Sequence, residues 1–89
     1  MKNDEQRYRQ SELEAWDKRY LWHPFTQMQD YCNESPLIIE RGEGSFLFDI
    51  NGNRYLDGVS SLWVNLHGHR REEIDRAIIS QVQQVSHST

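Results

Sequence analysis

His67 and His69 form a His-x-His pair that could chelate a metal ion together with His87. The sequence beside the pair offers no carboxylate to orient its rings and no fixed third ligand, so no metal site is expected, and a packed or hydrogen-bonded His67 is the plainer reading. Cys32, the single cysteine, has no CxxC companion and no nearby base. It can form no internal disulfide and reads as an inert thiol. The segment Asp49-Ile-Asn-Gly-Asn-Arg-Tyr-Leu-Asp57 sets oxygen-bearing side chains at alternate positions, as a calcium loop does. Such a loop needs glycine at its sixth position and a bidentate glutamate at its twelfth, where this chain has Arg54 and Ser60. A hairpin turning at Asn51–Gly52 is the better reading. Gly42-Glu-Gly44 lacks the third glycine of a dinucleotide fingerprint and joins two strands, so it too reads as a turn. Trp22, His23, Phe25 and the pair Leu62–Trp63 sit beside turns, where substrate-contacting side chains often lie. By patterning alone, packing against the rest of a larger protein explains them better.

The elements that would position these residues follow from periodicity. Leu13, Trp16 and Tyr20 recur at spacings of three and four, and Ser11 and Glu14 have capping-box spacing, which predicts a helix over residues 11–21. Pro24 ends it and pushes His23 out of helical geometry. Residues 22–28 should then be an ordered turn with exposed aromatics, and 29–35 a polar loop. From Pro36 the period becomes two: residues 37–39, 46–48 and 55–56 read as three strands, with turns at 42–44 and 51–52. Gly58 closes this antiparallel meander, and residues 59–66 form an apolar connector. A second helix begins after Gly68 with Glu72, Glu73 and Asp75 in its first turn, where the helix dipole favours acids. Ile74, Ile78, Val82 and Val85 give it an apolar stripe. The fold class is α+β: helix, three-stranded antiparallel meander, helix. Residues 1–10 are expected to be disordered.

Composition limits what such a chain can be. The hydrophobic fraction is 36%, against roughly 45–50% for globular chains when glycine is included. A meander of three strands buries at most one face, and the stripe of the second helix needs a partner. The chain is therefore expected to be the amino-terminal part of a larger soluble enzyme, weakly folded alone, with no linker dividing it into two domains. It stops at Ser86-His-Ser-Thr89 without a helix stop signal. No apolar run is long enough to span a bilayer, and Lys2, Asn3, Asp4 and Glu5 begin no signal peptide, so the cytoplasm is the expected location. The net charge is −4, and the one basic pair, Arg70–Arg71, is followed by Glu72, Glu73 and Asp75. Nucleic acid is not an expected partner.

Taken together, Leu21-Trp-His-Pro-Phe-Thr-Gln-Met28, Pro36-Leu-Ile-Ile-Glu40, the segment from Asp49 through Trp63 and His67-Gly-His69 resemble the start of the class III, fold type I pyridoxal-phosphate aminotransferases. The D-x-x-G-x-x-Y-x-D hairpin is shared across that class. The Trp-His-Pro-Phe-Thr-Gln-Met segment with Ser-Ser-x-Trp narrows the resemblance to members that serve biotin synthesis. It covers nearly the whole chain from Trp16 onward, and only the opening part of such an enzyme.

The resemblance implies that residues 1–89 are an incomplete amino-terminal part of the aminotransferase small domain. It implies transfer of an amino group from S-adenosylmethionine to 8-amino-7-oxononanoate, giving 7,8-diaminononanoate. Some members resemble lysine users. The implied cofactor is pyridoxal 5'-phosphate and the implied assembly a homodimer. The cofactor needs a Schiff-base lysine, yet Lys2 and Lys18 both lie in the polar amino-terminal stretch. Catalytic and cofactor-anchoring residues are thus expected outside this segment, and the segment alone should be inactive. By the same resemblance Phe25, Leu62 and Trp63 line the substrate site. Phe25 stands where other members carry a tyrosine that meets the keto substrate and stacks on the donor's adenine. Leu62 stands where many carry a tryptophan, while Trp63 is retained. Both departures bear on which donor is used. A class III enzyme acting on an ω-amino acid and a freestanding interaction module are the alternatives.

Overall fold

A computed structural model describes the backbone of residues 4–89 and the side chains of residues 9–89. The elements run α1 (Asp4–Tyr20), α2 (Met28–Tyr31), β1 (Ile39–Glu43), β2 (Phe46–Asp49), β3 (Arg54–Leu56), α3 (Ser60–Trp63) and α4 (Glu72–Val82). The strands form one sheet in the order β1-β2-β3, the expected antiparallel meander. The chain divides into two compact units. One takes the amino-terminal stretch through Glu40 with Phe48–Asn53, the other Arg41–Leu47 with Arg54–Thr89.

In the first unit α1 begins at Asp4 rather than at Ser11. Glu5, Gln6, Arg7 and Gln10 are good helix formers without apolar periodicity, so propensity extends the helix where the pattern is silent. Ser11 is an interior residue, and the side chain of Gln10 donates to Glu14 (2.9 Å), one turn on. Of residues 1–10, 1–3 lie outside the described residues and 4–10 have helical backbone. The helix closes with the Leu21 N–H on the Asp17 carbonyl (3.1 Å), just ahead of His23–Pro24. The expected polar loop contains a single helical turn, α2, because the Gln27 side chain accepts the Gln29 N–H (2.8 Å) and so caps Met28–Tyr31. Arg9 pairs with Glu40 (2.6 Å), and the Ile50 N–H reaches the Ile38 carbonyl (3.0 Å).

The turn after β2 belongs to this unit and is held by Asp49. The buried carboxylate of Asp49 accepts the N–H groups of Asn51 and Asn53 through Oδ1 (2.9 Å each) and the Asn53 amide through Oδ2 (3.0 Å). Its oxygens serve backbone and side-chain donors of their own turn, as an Asx-turn requires, with Gly52 at φ +83°.

In the second unit the first strand is displaced from its expected place at 37–39. Gly42 and Glu43 are strand residues, and the reversal occurs at Gly44–Ser45, with Gly44 at φ +58°. The position of that positive φ, not the apolar run Leu37-Ile-Ile39, sets the register. Arg54 on β3 lies over the Phe46 ring of β2, 4.5 Å from its centroid, a cross-strand cation–π pair. Helix α4 starts after Arg71, with Glu72, Glu73 and Asp75 in its first turn. Arg70 and Asp75 pair at 2.7 Å, and Arg76 pairs with Glu72 one turn back. Among the described residues Pro36 is the one apolar residue that is buried, and Ile74, Ile78, Ile79, Val82 and Val85 are all exposed. The expected stripe therefore exists on α4 at Ile74, Ile78 and Val82, with Ile79 beside it and Val85 past the helix end, and meets solvent.

Candidate functional site

The connector after the meander contains the most constrained backbone of the second unit. Ser60, Ser61, Leu62 and Trp63 all have positive φ (53°, 48°, 69° and 71°), and Ser61 and Leu62 have ψ of 51°. Element α3 is therefore a turn of left-handed helix. Its bonds run Trp63 N–H to the Val59 carbonyl (3.0 Å) and Val64 N–H to the Ser60 carbonyl (3.1 Å). For residues with a Cβ this geometry costs about 1–2 kcal/mol per residue, so something must hold it.

Asp57 does. Its Oδ1 accepts the Ser61 N–H (2.9 Å) and its Oδ2 accepts the Ser61 hydroxyl (2.7 Å). Oδ2 also meets His69 Nε2 at 2.8 Å, and only 4% of the Asp57 side-chain surface reaches solvent. The bonds from Ser61, backbone first and hydroxyl second, and then His69, hold the Asp57 carboxyl below its ordinary pKa. His69 is fixed in turn by a two-way backbone bridge to Gly44 (3.2 and 2.7 Å). Gly42 lies under its ring: a Cβ there would stand 2.7 Å from the His69 Cβ. The packed histidine is thus His69 rather than His67, which is exposed.

Ser61, His69 and Asp57 are the residue types of a hydrolase triad, but the order of contacts is wrong for one. Both the hydroxyl and the imidazole address the carboxylate, so no base activates the Ser61 oxygen. The cluster positions backbone. It sets Leu62 and Trp63 side by side on the left-handed turn, 58% and 83% exposed.

The first unit repeats the arrangement around another carboxylate. Asp17, 8% exposed, meets His23 Nε2 through Oδ1 (2.8 Å) and accepts the Tyr31 hydroxyl through Oδ2 (2.7 Å). The His23 and Tyr31 rings lie 4.4 Å apart. Between these anchors the chain passes Pro24 into Phe25 at φ 52°, and the Thr26 hydroxyl donates to the Pro24 carbonyl (2.8 Å). Phe25 is left 99% exposed. Periodicity could not single out Asp17, Asp57, Gly42 or His69 for these duties; the only trace of Asp57 and His69 was their place in the D-x-x-G-x-x-Y-x-D and His-Gly-His segments.

These elements are those of a known family. Residues 28–89 match the class-III aminotransferase family model, and the chain belongs to that family. Over 77 residues it is 60% identical to the adenosylmethionine-8-amino-7-oxononanoate aminotransferase of Methanocaldococcus jannaschii, a match covering 86% of this chain and 17% of that enzyme. The crystal structure of the M. jannaschii enzyme superposes with a TM-score of 0.77 at 58% identity, over 89% of this chain and 18% of that one. The taurine–pyruvate aminotransferase of Bilophila wadsworthia is 39% identical over 79 residues, 88% of this chain and 17% of its own length. The chain thus spans less than a fifth of the length of these relatives.

Class-III aminotransferases depend on pyridoxal phosphate, and the described residues do not form a seat for it. Their one lysine, Lys18, lies in the last turn of α1. The carboxylates shielded enough to face a ring nitrogen, Asp17, Asp49 and Asp57, are each engaged by their own neighbours. No chemical step is assigned to a side chain of this segment.

Proposed function

We propose that these 89 residues are the amino-terminal part of the small domain of a pyridoxal-phosphate aminotransferase of biotin synthesis. The whole enzyme would transfer an amino group from S-adenosylmethionine to 8-amino-7-oxononanoate, giving 7,8-diaminononanoate, as a cytoplasmic homodimer. One observation carries the choice within the class: identity is 51–61% to six relatives bearing the adenosylmethionine-8-amino-7-oxononanoate name and 39% to the taurine–pyruvate enzyme. One further relative of that name, from Helicobacter pylori, stands at 41%, so the name does not by itself guarantee high identity.

In this reading Phe25, Leu62 and Trp63 line the substrate site. Their exposure supports it, since an exposed aromatic held on a constrained turn has surface to offer a ligand or a neighbouring domain. Phe25 offers a stacking face without a hydroxyl. The test is to assay the full-length enzyme with 8-amino-7-oxononanoate and, in turn, S-adenosylmethionine, lysine and an ω-amino acid. Formation of 7,8-diaminononanoate with S-adenosylmethionine supports the reading. Formation with lysine alone reassigns the donor, and turnover confined to the ω-amino acid removes the enzyme from biotin synthesis.

A further inference from the structure

The left-handed turn at Ser60–Trp63 is strained and carries two of the residues proposed to meet substrate, so its support bears on specificity. We infer that Asp57 is a positioning residue for substrate recognition: by binding both the N–H and the hydroxyl of Ser61, it holds Leu62 and Trp63 in the left-handed geometry that presents them. The inference rests on the proposed substrate site and deepens it.

Three observations carry it. The strain is unusual in extent, with four consecutive residues at positive φ and no glycine or asparagine among them; isolated positive-φ residues are common in turns, and runs are not. The support is directed at the strained residue itself, since both Asp57 oxygens are within 2.9 Å of a Ser61 donor. Finally, the support is itself anchored. His69 Nε2 lies 2.8 Å from Asp57 Oδ2, and His69 is pinned by the Gly44 bridge and seated over Gly42, where a Cβ would collide. Strain held in place by surrounding structure concentrates at functional sites.

Asp57 touches no reacting atom in this account, so its loss should appear in substrate affinity and leave the chemistry in place. In the full-length enzyme, Asp57→Asn is expected to raise KM for the amino acceptor about tenfold, with kcat within about twofold, as loss of a charge-assisted hydrogen bond would do. The cofactor absorption band should be unchanged. Adding Ser61→Gly to Asp57→Asn should recover part of the loss, because glycine adopts positive φ without steric cost. Unchanged KM in Asp57→Asn, or a joint fall of kcat and cofactor absorption, overturns the inference. If Asp57→Asn does not fold, Ser61→Ala removes only the exposed hydroxyl; a KM increase of about threefold is then expected, and none overturns it. Should the wild-type enzyme fail to aminate 8-amino-7-oxononanoate, the functional reading falls. The same comparison then runs on the acceptor the enzyme does use, where an unmoved KM sinks the clamp separately.

Discussion

The Tyr31 hydroxyl donates to Oδ2 of Asp17 at 2.7 Å across fourteen positions of sequence, joining the short α2 to the last turns of α1. Asp17 is among the few buried residues of those described, and with His23 on its other oxygen it closes the loop that carries Phe25. An ordered aromatic turn is possible here because a shielded carboxylate receives one partner from each side of it.

Burial first, and then the bond to Asp17, push the Tyr31 phenol up from 10.0 to about 12. The folded state holds this proton more tightly than the unfolded chain does. The linked stability is therefore complete below pH 10 and is lost as pH rises toward about 12. Phenolate absorbance of the full-length enzyme should show one late-titrating tyrosine that disappears in Tyr31→Phe. That variant, which keeps the ring against His23, should lose about 1–2 kcal/mol in denaturant unfolding.

Asp57 has the opposite sign. Its folded carboxyl lies below the ordinary value because Ser61 and His69 favour the ionised form. The clamp should be intact at neutral pH and weaken as pH falls through that depressed value. The melting-temperature gap between wild type and Asp57→Asn should accordingly narrow in acid. A gap that stays constant to low pH would show that the carboxylate charge is not what stabilises the turn.

Phe25→Ala tests donor recognition in the full-length enzyme. Aromatic stacking contributes roughly 0.5–1.5 kcal/mol beyond area burial, so an adenine-bearing donor should be weakened about threefold to tenfold more than lysine. Equal losses with both donors would remove the stacking role, and unchanged kinetics would leave Phe25 as a packing residue.

The isolated 89-residue segment should neither form a borohydride-reducible adduct with pyridoxal phosphate on one stoichiometric lysine nor transaminate. Lys18 stands in the last turn of α1, and among the described residues Pro36 is the one apolar residue that is buried. Helix stability comes mainly from apolar packing. Thermal unfolding should accordingly be broad, and a sharp transition with strong amide protection in α4 would show that the segment closes its own core.

Local chemistry in the sequence determined the meander, the turn at Asn51–Gly52, the end of α1 before His23–Pro24 and the acidic start of α4. Each depends on a few adjacent residues whose backbone preferences agree. The spacing of Ile74, Ile78 and Val82 likewise determined the face of α4, while Val85 falls past its end. The start of α1 escaped because residues 4–10 carry propensity without periodicity. The first strand was misplaced because its register depends on the positive φ of Gly44, which glycine permits and does not demand. Tertiary structure alone decided that Asp17 and Asp57 are clamps, that His69 and not His67 is packed, and that Ser60–Trp63 wind left-handed. Those outcomes join residues as far apart as Asp17 and Tyr31 or Asp57 and His69. A left-handed turn opposes the intrinsic preference of every residue in it, so only the bonds that hold it reveal it.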